Sequence, residues 1–225
     1  MSQTNIQVVE GYIEQIINQR RLERLPDFCS EDCVSHAPPY VGLGGNFDDT
    51  SGEKLILTQI APNSPMDGHL QIGDELIRVK HGDRTWETFD ELRKGFWARG
   101  LVGTEICVTV KRHGNTLSIP LTLGQVEQFD INMLDVFRTA IPYMQKYWPD
   151  LKMDIKEIFG SGDMVACYAV NHGTNTEYNR SAVWDEMDIF KLKDGKITEI
   201  WGIENSLEEI HQLGYQVNEP VRELA

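Results

Sequence analysis

The 225-residue sequence predicts an α+β protein in which a β-rich domain interrupts a second domain. The length exceeds that of a usual single domain, about 100–150 residues. The residue pattern also changes twice, near Gly42 and near Gly124, from helical periodicity to short strands and turns and back again. We therefore predict an inserted domain over 42–125 and a discontinuous outer domain over 1–41 and 126–225. Compact domains tolerate such insertions at exposed loops.

The first 35 residues predict two helices. Ile6, Val9, Ile13 and Ile16 recur at three- or four-residue spacing, which is typical of the apolar face of a helix. A shorter helix is predicted over 21–28, interrupted by a proline. Consecutive prolines then end regular structure after His36-Ala.

The middle block predicts short strands joined by tight turns. Strand-like runs begin at Lys54 and Gly73, and a hairpin is predicted over 104–123 across His113-Gly-Asn. Between them, Thr88 and Glu91 have the spacing of a helix capping box.

The last hundred residues predict a helix, a meander of strands and a final helix. Asp130 is positioned to cap the first of these helices. The predicted strands cover 151–158, 163–171, 181–192 and 196–203. The turn Lys193-Asp-Gly-Lys joins the last two strands, and the final helix is predicted to end at Gly214.

Composition narrows the classes of partner. Lys and Arg total 21 against 35 Asp and Glu, a formal net charge of −14, which opposes binding to nucleic acid or to an anionic membrane. The sequence has no apolar run of the roughly 20 residues that a membrane helix needs, and its first residues do not have the pattern of a secretory signal. We expect a cytoplasmic protein whose partner is a small molecule or a protein.

The four cysteines predict core packing rather than a metal centre. Cys29, Cys33, Cys107 and Cys167 have apolar neighbours and form no C-x-x-C motif. Reduced thiols are therefore expected. The sequence has no His or carboxylate spacing typical of a metal site, so we predict neither a metal nor a cofactor.

The outer segments resemble the SnoaL-like polyketide cyclase branch of the nuclear-transport-factor-2-like superfamily. The resemblance rests on Phe28 through His36-Ala-Pro-Pro, on Tyr147-Trp-Pro-Asp-Leu, and on the run from Asp188 to Ile203 closed by 207–214. It implies a cone-shaped, curved antiparallel sheet wrapped by helices, with an apolar ligand pocket, and assembly as a homodimer. The acid that this family places on its last strand corresponds here to Gly202 or Asn205, and a common central histidine corresponds to Asn175.

The middle block resembles a PDZ domain of the bacterial protease-associated type. The resemblance rests on Gly42-Leu-Gly-Gly, Ser64-Pro, the run from Leu70 to Val79, and Gly103-Thr-Glu-Ile-Cys-Val-Thr-Val. It implies capture of a peptide C-terminus by the backbone of Gly42, Leu43, Gly44 and Gly45. We expect the peptide to pair beside 55–58, with Phe89 selecting an apolar side chain. The alternative is a degenerate groove that serves as a structural spacer or an intramolecular clamp.

Candidate chemistry in the outer domain centres on one predicted strand. Trp184, Glu186, Asp188 and Phe190 alternate and therefore share one face. Carboxyls among aromatic side chains on an apolar face have raised pKa values and exchange protons near neutral pH. We expect His36 to pair with Asp188 as a base. Further pocket-lining candidates are Tyr168, Trp201, Glu204 and Asn205.

Two functions remain open at this point. In the first, Asp188, His36 and Glu186 make the outer domain an acid/base cyclase or isomerase for an apolar carbonyl substrate, while the inserted domain binds a peptide or gates the pocket. In the second, the outer domain is a non-catalytic module for ligand binding or dimerisation, and its carboxyls are solvated or ion-paired. The predicted strand 181–192 is apolar on both faces, so both must be covered, which favours a homodimer.

Overall fold

A computed structural model describes residues 2–48, 51–127 and 129–216. Its α-helices are α1 (Ser2–Tyr12), α2 (Leu25–Phe28), α3 (Phe89–Leu92), α4 (Met133–Tyr147) and α5 (Ser206–Gln212). A π-helical turn covers Ile13–Asn18, and 3-10 turns cover Leu22–Arg24 and Phe96–Ala98. The strands are β1 (Cys29–Ala37), β2 (Tyr40–Gly42), β3 (Gly45–Asp48), β4 (Leu55–Ile60), β5 (Glu75–His81), β6 (Arg84–Trp86), β7 (Glu105–Arg112), β8 (Asn115–Thr122), β9 (Gly124–Val126), β10 (Phe129–Asn132), β11 (Lys152–Ser161), β12 (Met164–Asn175), β13 (Arg180–Lys193) and β14 (Lys196–Glu204).

The chain divides into two compact units. Unit 1 comprises 1–35 and 132–225, and unit 2 comprises 36–131. Unit 2 thus begins before and ends after the predicted limits of 42 and 125. The mixed α+β fold class is confirmed by this set of elements.

A six-stranded sheet with the order β10-β1-β14-β13-β12-β11 organises unit 1. Strands β11 to β14 pair antiparallel with their chain neighbours. Asp194 and Gly195 have φ values of +52° and +77°, the left-handed conformations that the tight β13–β14 turn requires. This turn confirms the predicted hairpin.

Helix α1, the π-helical turn that continues it and helix α4 supply the apolar side chains that cover one face of this sheet. Val9, Ile13 and Ile16, predicted from their spacing to share a face, are buried against Phe137 and Ile141 of α4. Sheet residues of the same cluster include Val165, Cys167, Ala169, Phe190, Leu192, Ile197 and Ile200. The alternate residues of β12 and β13 therefore face this core.

Unit 1 differs from the sequence predictions at two places. Residues 29–37 form strand β1, which was not predicted; it pairs with the neighbouring strands β14 and β10 and ends at Ala37, directly before the two prolines that were expected to end regular structure. Helix α4 begins after Asn132, whose side-chain oxygen accepts a hydrogen bond from Leu134 N at 2.9 Å, so Asp130 is not the cap.

Unit 2 contains a sheet with the order β3-β4-β5-β7-β8, with β6 on β5. The predicted capping box of α3 is confirmed, because Thr88 accepts from Glu91 N and the Glu91 side chain accepts from Thr88 N. His113 and Gly114 have positive φ values at the β7–β8 turn, as the hairpin prediction requires. None of the described helices is long and apolar enough to cross a membrane.

Candidate functional site

The candidate site of unit 1 lies on the buried face of β13. Trp184, Asp188 and Phe190 are buried and Glu186 is half-buried, whereas the intervening Val183 and Met187 are exposed. This alternation is the one that the sequence predicts for a strand. It brings two carboxyls, Glu186 and Asp188, to one apolar face.

Asp188 is a buried carboxyl held in its neutral form at neutral pH. Its side chain is 7% exposed, and burial, followed by the neighbouring charge of Glu186, raises its pKa to about 8. Burial also raises the pKa of Glu186, but two hydrogen bonds, one with Asn171 and one with Asp188, lower it in part. The hydrogen bond between the two carboxyls therefore favours the protonated form of Asp188 and the ionised form of Glu186.

Asn171 of β12 positions Glu186. Its Nδ2 donates to Glu186 Oε2 at 2.5 Å, and Asn171 itself is buried. A hydrogen bond of this kind favours the ionised form of the carboxyl. Sequence reasoning missed Asn171, because only the register of β12 against β13 brings it within reach of Glu186.

Gly202 of β14 leaves room for the Asp188 carboxyl. Asp188 lies opposite Cys167 on one side and Gly202 on the other. A Cβ added at Gly202 would stand 2.6 Å from Asp188 Oδ1. The Asp188 carboxyl can therefore occupy its observed position only because residue 202 has no side chain.

Two further acids lie beside the pair. Glu204 is opposite Glu186 on β14, and burial together with the charge of Glu204 raises the pKa of Glu209 in α5 to about 7. Among the described residues, no Lys or Arg forms an ion pair with Glu186, Asp188, Glu204 or Glu209. The charge of this region is therefore negative and uncompensated.

Aromatic side chains adjoin the carboxyls. The Trp184 ring packs 5.2 Å from that of Trp148, and Phe190 packs 5.8 Å from Tyr12. Burial raises the pKa of Tyr12 well above its usual value, so the phenol is neutral. Tyr12 is not among the site residues predicted from the sequence, because the packing of α1 against β13 places it beside Phe190 and the acids.

Three predicted pocket residues lie elsewhere. Tyr168 is opposite Met187 and Trp201 is opposite Ile189, so both project from the other face of the sheet. Asn205 caps α5 and donates Nδ2 to Asp185 Oδ1 at 3.1 Å. The two-residue period of a strand places Tyr168 and Trp201 on the other face, and the start of α5 occupies the side chain of Asn205. Residue type alone, which is all that the sequence offered for these three positions, does not predict either outcome.

His36 has a different neighbour from the one expected. Its Nδ1 lies 2.7 Å from Asp130 Oδ1, both residues belonging to unit 2. Asp188 instead interacts with Glu186. The structure thus provides an acid pair on β13 without His36.

The glycine-rich segment of unit 2 is tightly packed. Leu43 is buried in the core of the unit, Gly44 has φ +76°, and a Cβ at Gly45 would stand 2.3 Å from Met66 Sδ. Gly42 ends β2, and Phe89 opens the single-turn helix α3. Strand β4 (Leu55–Ile60) pairs with β3 on one side and with β5 on the other, so the expected pairing of a peptide beside 55–58 is wrong. Strand β3 lies at an edge of this sheet instead.

The described residues do not form a metal-binding cluster. Within residues 2–48, 51–127 and 129–216, no group of three or more His, Cys, Asp or Glu residues is arranged to hold a metal ion. The four cysteines are free thiols. Burial raises the pKa of the Cys167 thiol, opposite Asp188, to about 12, so this thiol is neutral.

The comparisons with known proteins point to one family. Residues 125–213 match the model of a family described as SnoaL-like polyketide cyclase. The match covers the helix α4 and the strands that hold Asn171, Glu186, Asp188 and Gly202. It supports the resemblance of this part of the chain to SnoaL-like, nuclear-transport-factor-2-like proteins. The comparison with curated proteins found no match.

Several solved structures are similar at low identity. Wild-type IdmH from Streptomyces antibioticus is 15% identical, with 94% of this chain and 99% of that chain covered and a TM-score of 0.48. A phenazine biosynthesis-related protein from Pseudomonas aeruginosa is 16% identical, with 99% and 93% covered and a TM-score of 0.45. An NTF2-like protein from Burkholderia thailandensis is 15% identical, with 38% and 67% covered and a TM-score of 0.36. Every one of these TM-scores is below 0.5, so the family resemblance rests on the match over 125–213.

Proposed function

We propose that unit 1 transfers protons on an apolar carbonyl compound, in the manner of a cyclase or isomerase. The observation that carries this proposal is the position of Asp188 Oδ1, 2.6 Å from where a Cβ would stand at Gly202. In SnoaL-like cyclases an acid occupies the position that corresponds to Gly202. Asp188 therefore supplies a carboxyl from the neighbouring strand beside the place where the family acid would project.

The acid pair divides the proton transfer between two groups. Ionised Glu186, held by Asn171, takes a proton from the carbon next to the substrate carbonyl, while neutral Asp188 donates its proton to the carbonyl oxygen. The product of this step is an enol, and its carbon is the nucleophile that a ring closure or an isomerisation needs. Glu186 then donates its proton to another carbon while the enol oxygen returns its proton to Asp188, which completes the isomerisation and restores both carboxyls.

The surroundings favour an uncharged substrate. Trp184 and Phe190 supply apolar surface next to the carboxyls, whereas Glu204 and Glu209 oppose the approach of an anion. The low polarity around Asp188 also keeps its proton in place until the substrate oxygen accepts it. The substrate class is therefore a neutral ketone or ester with an enolisable carbon.

Proton exchange tests this proposal without knowledge of the natural substrate. The wild-type protein is incubated with 2-tetralone in D₂O, and loss of the α-proton signal is followed by NMR. We expect exchange faster than in buffer, and a decrease of about 10²- to 10⁴-fold in Asp188→Asn. Asp185→Asn is the matched control, because Asp185 lies on the other face of the same strand. Equal exchange by the wild type and Asp188→Asn would contradict the proposal.

A non-catalytic binding module is the second candidate for unit 1. It is favoured by the absence of an acid at Gly202 and Asn205 and of a histidine at Asn175, whose side chain instead accepts from the Glu177 and Tyr178 backbone. In that case 2-tetralone binds without exchange, and Asp188→Asn binds it as well as the wild type does.

For unit 2 we propose a PDZ-like domain that binds a peptide C-terminus. The edge strand β3 offers backbone groups for strand addition, and Phe89 of α3 packs against the same core as Phe47 of β3. Fluorescence anisotropy with a random C-terminal peptide library tests this, with peptides amidated at the C-terminus as the control. Equal binding of the amidated and free forms would contradict carboxylate capture by residues 42–45.

We also propose that unit 1 forms a homodimer through the exposed face of its sheet. Val183, Met187 and Ile189 of β13 and Ile203 of β14 are apolar and 40–74% exposed there. Such a patch is more apolar than a monomer usually leaves uncovered. Sedimentation at micromolar concentration is expected to give a dimer for the wild type and a monomer for Ile203→Glu. A monomeric wild type would exclude this assembly.

A further inference from the structure

The Trp184 indole carries a buried donor that the protein does not use. Trp184 is 7% exposed, and its Nε1 has no hydrogen-bond partner among the residues that the structure describes. The buried indole of Trp97 shows the usual arrangement, since its Nε1 donates to Leu92 O at 2.7 Å. Buried donors are almost always paired because an unpaired one destabilises the fold, so the exception at Trp184 needs an explanation.

The groups nearest to Trp184 along the strands are already engaged. Asn171, opposite Trp184 in register, donates its amide to Glu186. Gln212 of α5 uses both ends of its amide on the backbone of Val183, next to Trp184. Neither side chain accepts a hydrogen bond from the indole in the structure.

Trp184 shares its strand face with the acid pair. It lies two residues before Glu186 and four before Asp188. At about 3.3 Å per residue, the Cα atoms of Trp184 and Asp188 are about 13 Å apart. A molecule that contacts both side chains would have to span a distance of this order.

We propose that the Trp184 indole N–H binds an acceptor oxygen at the far end of the ligand whose reacting carbonyl lies at Asp188. The ligand class is then an elongated, uncharged, flat molecule with acceptor oxygens at both ends. The flat shape matches the paired rings of Trp184 and Trp148, and the neutral charge matches the uncompensated acids Glu204 and Glu209. This inference rests on the proposed function of unit 1 and assigns Trp184 as a specificity-determining residue.

A series of three naphthalenes measures the contribution of the second oxygen. The probes are 2-isopropylnaphthalene, 2-acetylnaphthalene and 2,6-diacetylnaphthalene, which have no, one and two acceptor oxygens. In the wild type, the second acetyl group is expected to tighten binding by about 2- to 10-fold, the usual contribution of a neutral hydrogen bond. In Trp184→Phe, which keeps an aromatic ring but lacks the donor, that gain is expected to disappear. In the matched control Trp148→Phe, the gain is expected to remain, whatever happens to the affinity for all three probes.

Two outcomes would overturn the inference. One is the absence of any gain from the second acetyl group in the wild type, and the other is an equal gain in Trp184→Phe. Proton exchange on 2-tetralone, which has no second oxygen, reports on Asp188 alone. Failure of the Trp184 inference is therefore distinguishable from failure of the proposed proton transfer.

An NMR measurement on the wild type does not depend on the variant folding. In protein labelled with ¹⁵N in its indoles, the Trp184 Nε1–H signal is identified by its loss in Trp184→Phe or, if that variant does not fold, in Trp184→Tyr. The signal is expected to move downfield on addition of 2,6-diacetylnaphthalene and to move less with 2-isopropylnaphthalene. Equal movement with both probes would show that the indole donates to neither ligand.

Discussion

At the scale of single residues, Asp188 is a buried carboxyl that forms no ion pair with a Lys or Arg among the described residues. Its carboxyl lies among Cys167, Phe190 and Gly202 and interacts with another acid rather than with a base. An ion-paired carboxyl has a lowered pKa and stabilises a fold at neutral pH, whereas the pKa of this one is raised. A buried carboxyl of this kind lowers the stability of the fold at neutral pH, which favours a chemical role over a structural one.

The pH dependence of stability tests this description of Asp188. Because its folded pKa is about 8, above the unfolded value near 3.8, its neutral form stabilises the fold fully below pH 4, and this contribution is lost as the pH rises towards 8. Asp188→Asn, which does not ionise, is expected to melt at a higher temperature than the wild type at pH 8, with a smaller difference at pH 5. Calorimetry across this range checks the prediction. A constant difference at all pH values would show that the carboxyl is solvated.

Asn171 is predicted to act through Glu186. Its hydrogen bond lowers the pKa of Glu186, so Asn171→Ala is expected to raise that pKa and reduce the ionised fraction at neutral pH. The acid limb of the pH profile for 2-tetralone exchange is therefore expected to shift to higher pH, with activity recovering as the pH rises. A uniform loss at every pH would indicate a purely structural role. Asn171→Ser serves as the conservative variant.

At the scale of elements, the register of β13 against β14 decides where the acid lies. Position 188 and position 202 face each other across the two strands, so a carboxyl on either one projects into the same region. Gly202 is compatible with Asp188 because a Cβ would stand too close to Oδ1. The two strands thus offer alternative positions for one functional group.

Exchange of the two side chains tests this equivalence. Gly202→Ala alone is expected to displace the Asp188 carboxyl and to reduce 2-tetralone exchange by at least 10-fold, because proton transfer depends on position. The double variant Asp188→Gly with Gly202→Asp is expected to exchange faster than Asp188→Gly alone. NMR measures the exchange rates of these variants, and circular dichroism verifies that each of them folds. No recovery in a folded double variant would refute the proposed equivalence.

Element boundaries show which predictions from sequence succeed. The capping box of α3 and the turns at His113-Gly114 and Asp194-Gly195 depend on local chemistry and are confirmed. Strand β1 and the edge position of β3 depend on partners distant in sequence and were missed. Local signals determine where an element begins or turns, but not which neighbour pairs with it.

At the scale of the whole molecule, the pairing of β2 with β9 brings the two ends of the middle segment together. Gly42 and Gly124 are register partners in this antiparallel pair. Opposite residues of such a pair lie about 4.5–5.5 Å apart, so the chain leaves and re-enters at nearly one point. We therefore propose that the segment between these two glycines is an inserted domain.

Removal of the insert is predicted to leave a folded protein. Residues 43–123 are replaced by an Asn-Gly turn joining Gly42 to Gly124, which retains β1 and β10 of the unit 1 sheet. We expect cooperative thermal unfolding and retained 2-tetralone exchange, because the acid pair and its partners all lie outside the deleted segment. The excised segment 43–123, produced alone, provides the complementary test. Non-cooperative unfolding of the deletion variant would contradict the insertion.

The sequence by itself determined the α+β class, the change of pattern near residues 42 and 124, and the alternation that brings Glu186 and Asp188 to one face. These features follow from periodicity and turn chemistry, which operate over a few neighbouring residues. Only the tertiary structure decided that Asn171 holds Glu186, that Gly202 makes room for Asp188, and that the Trp184 indole has no hydrogen-bond partner among the described residues. The tertiary structure also shows that Tyr168 and Trp201 lie on the face of the sheet opposite to the acid pair. The physical reason is that a one-residue change of register reverses every side chain of a strand, and register is fixed by packing across the whole sheet.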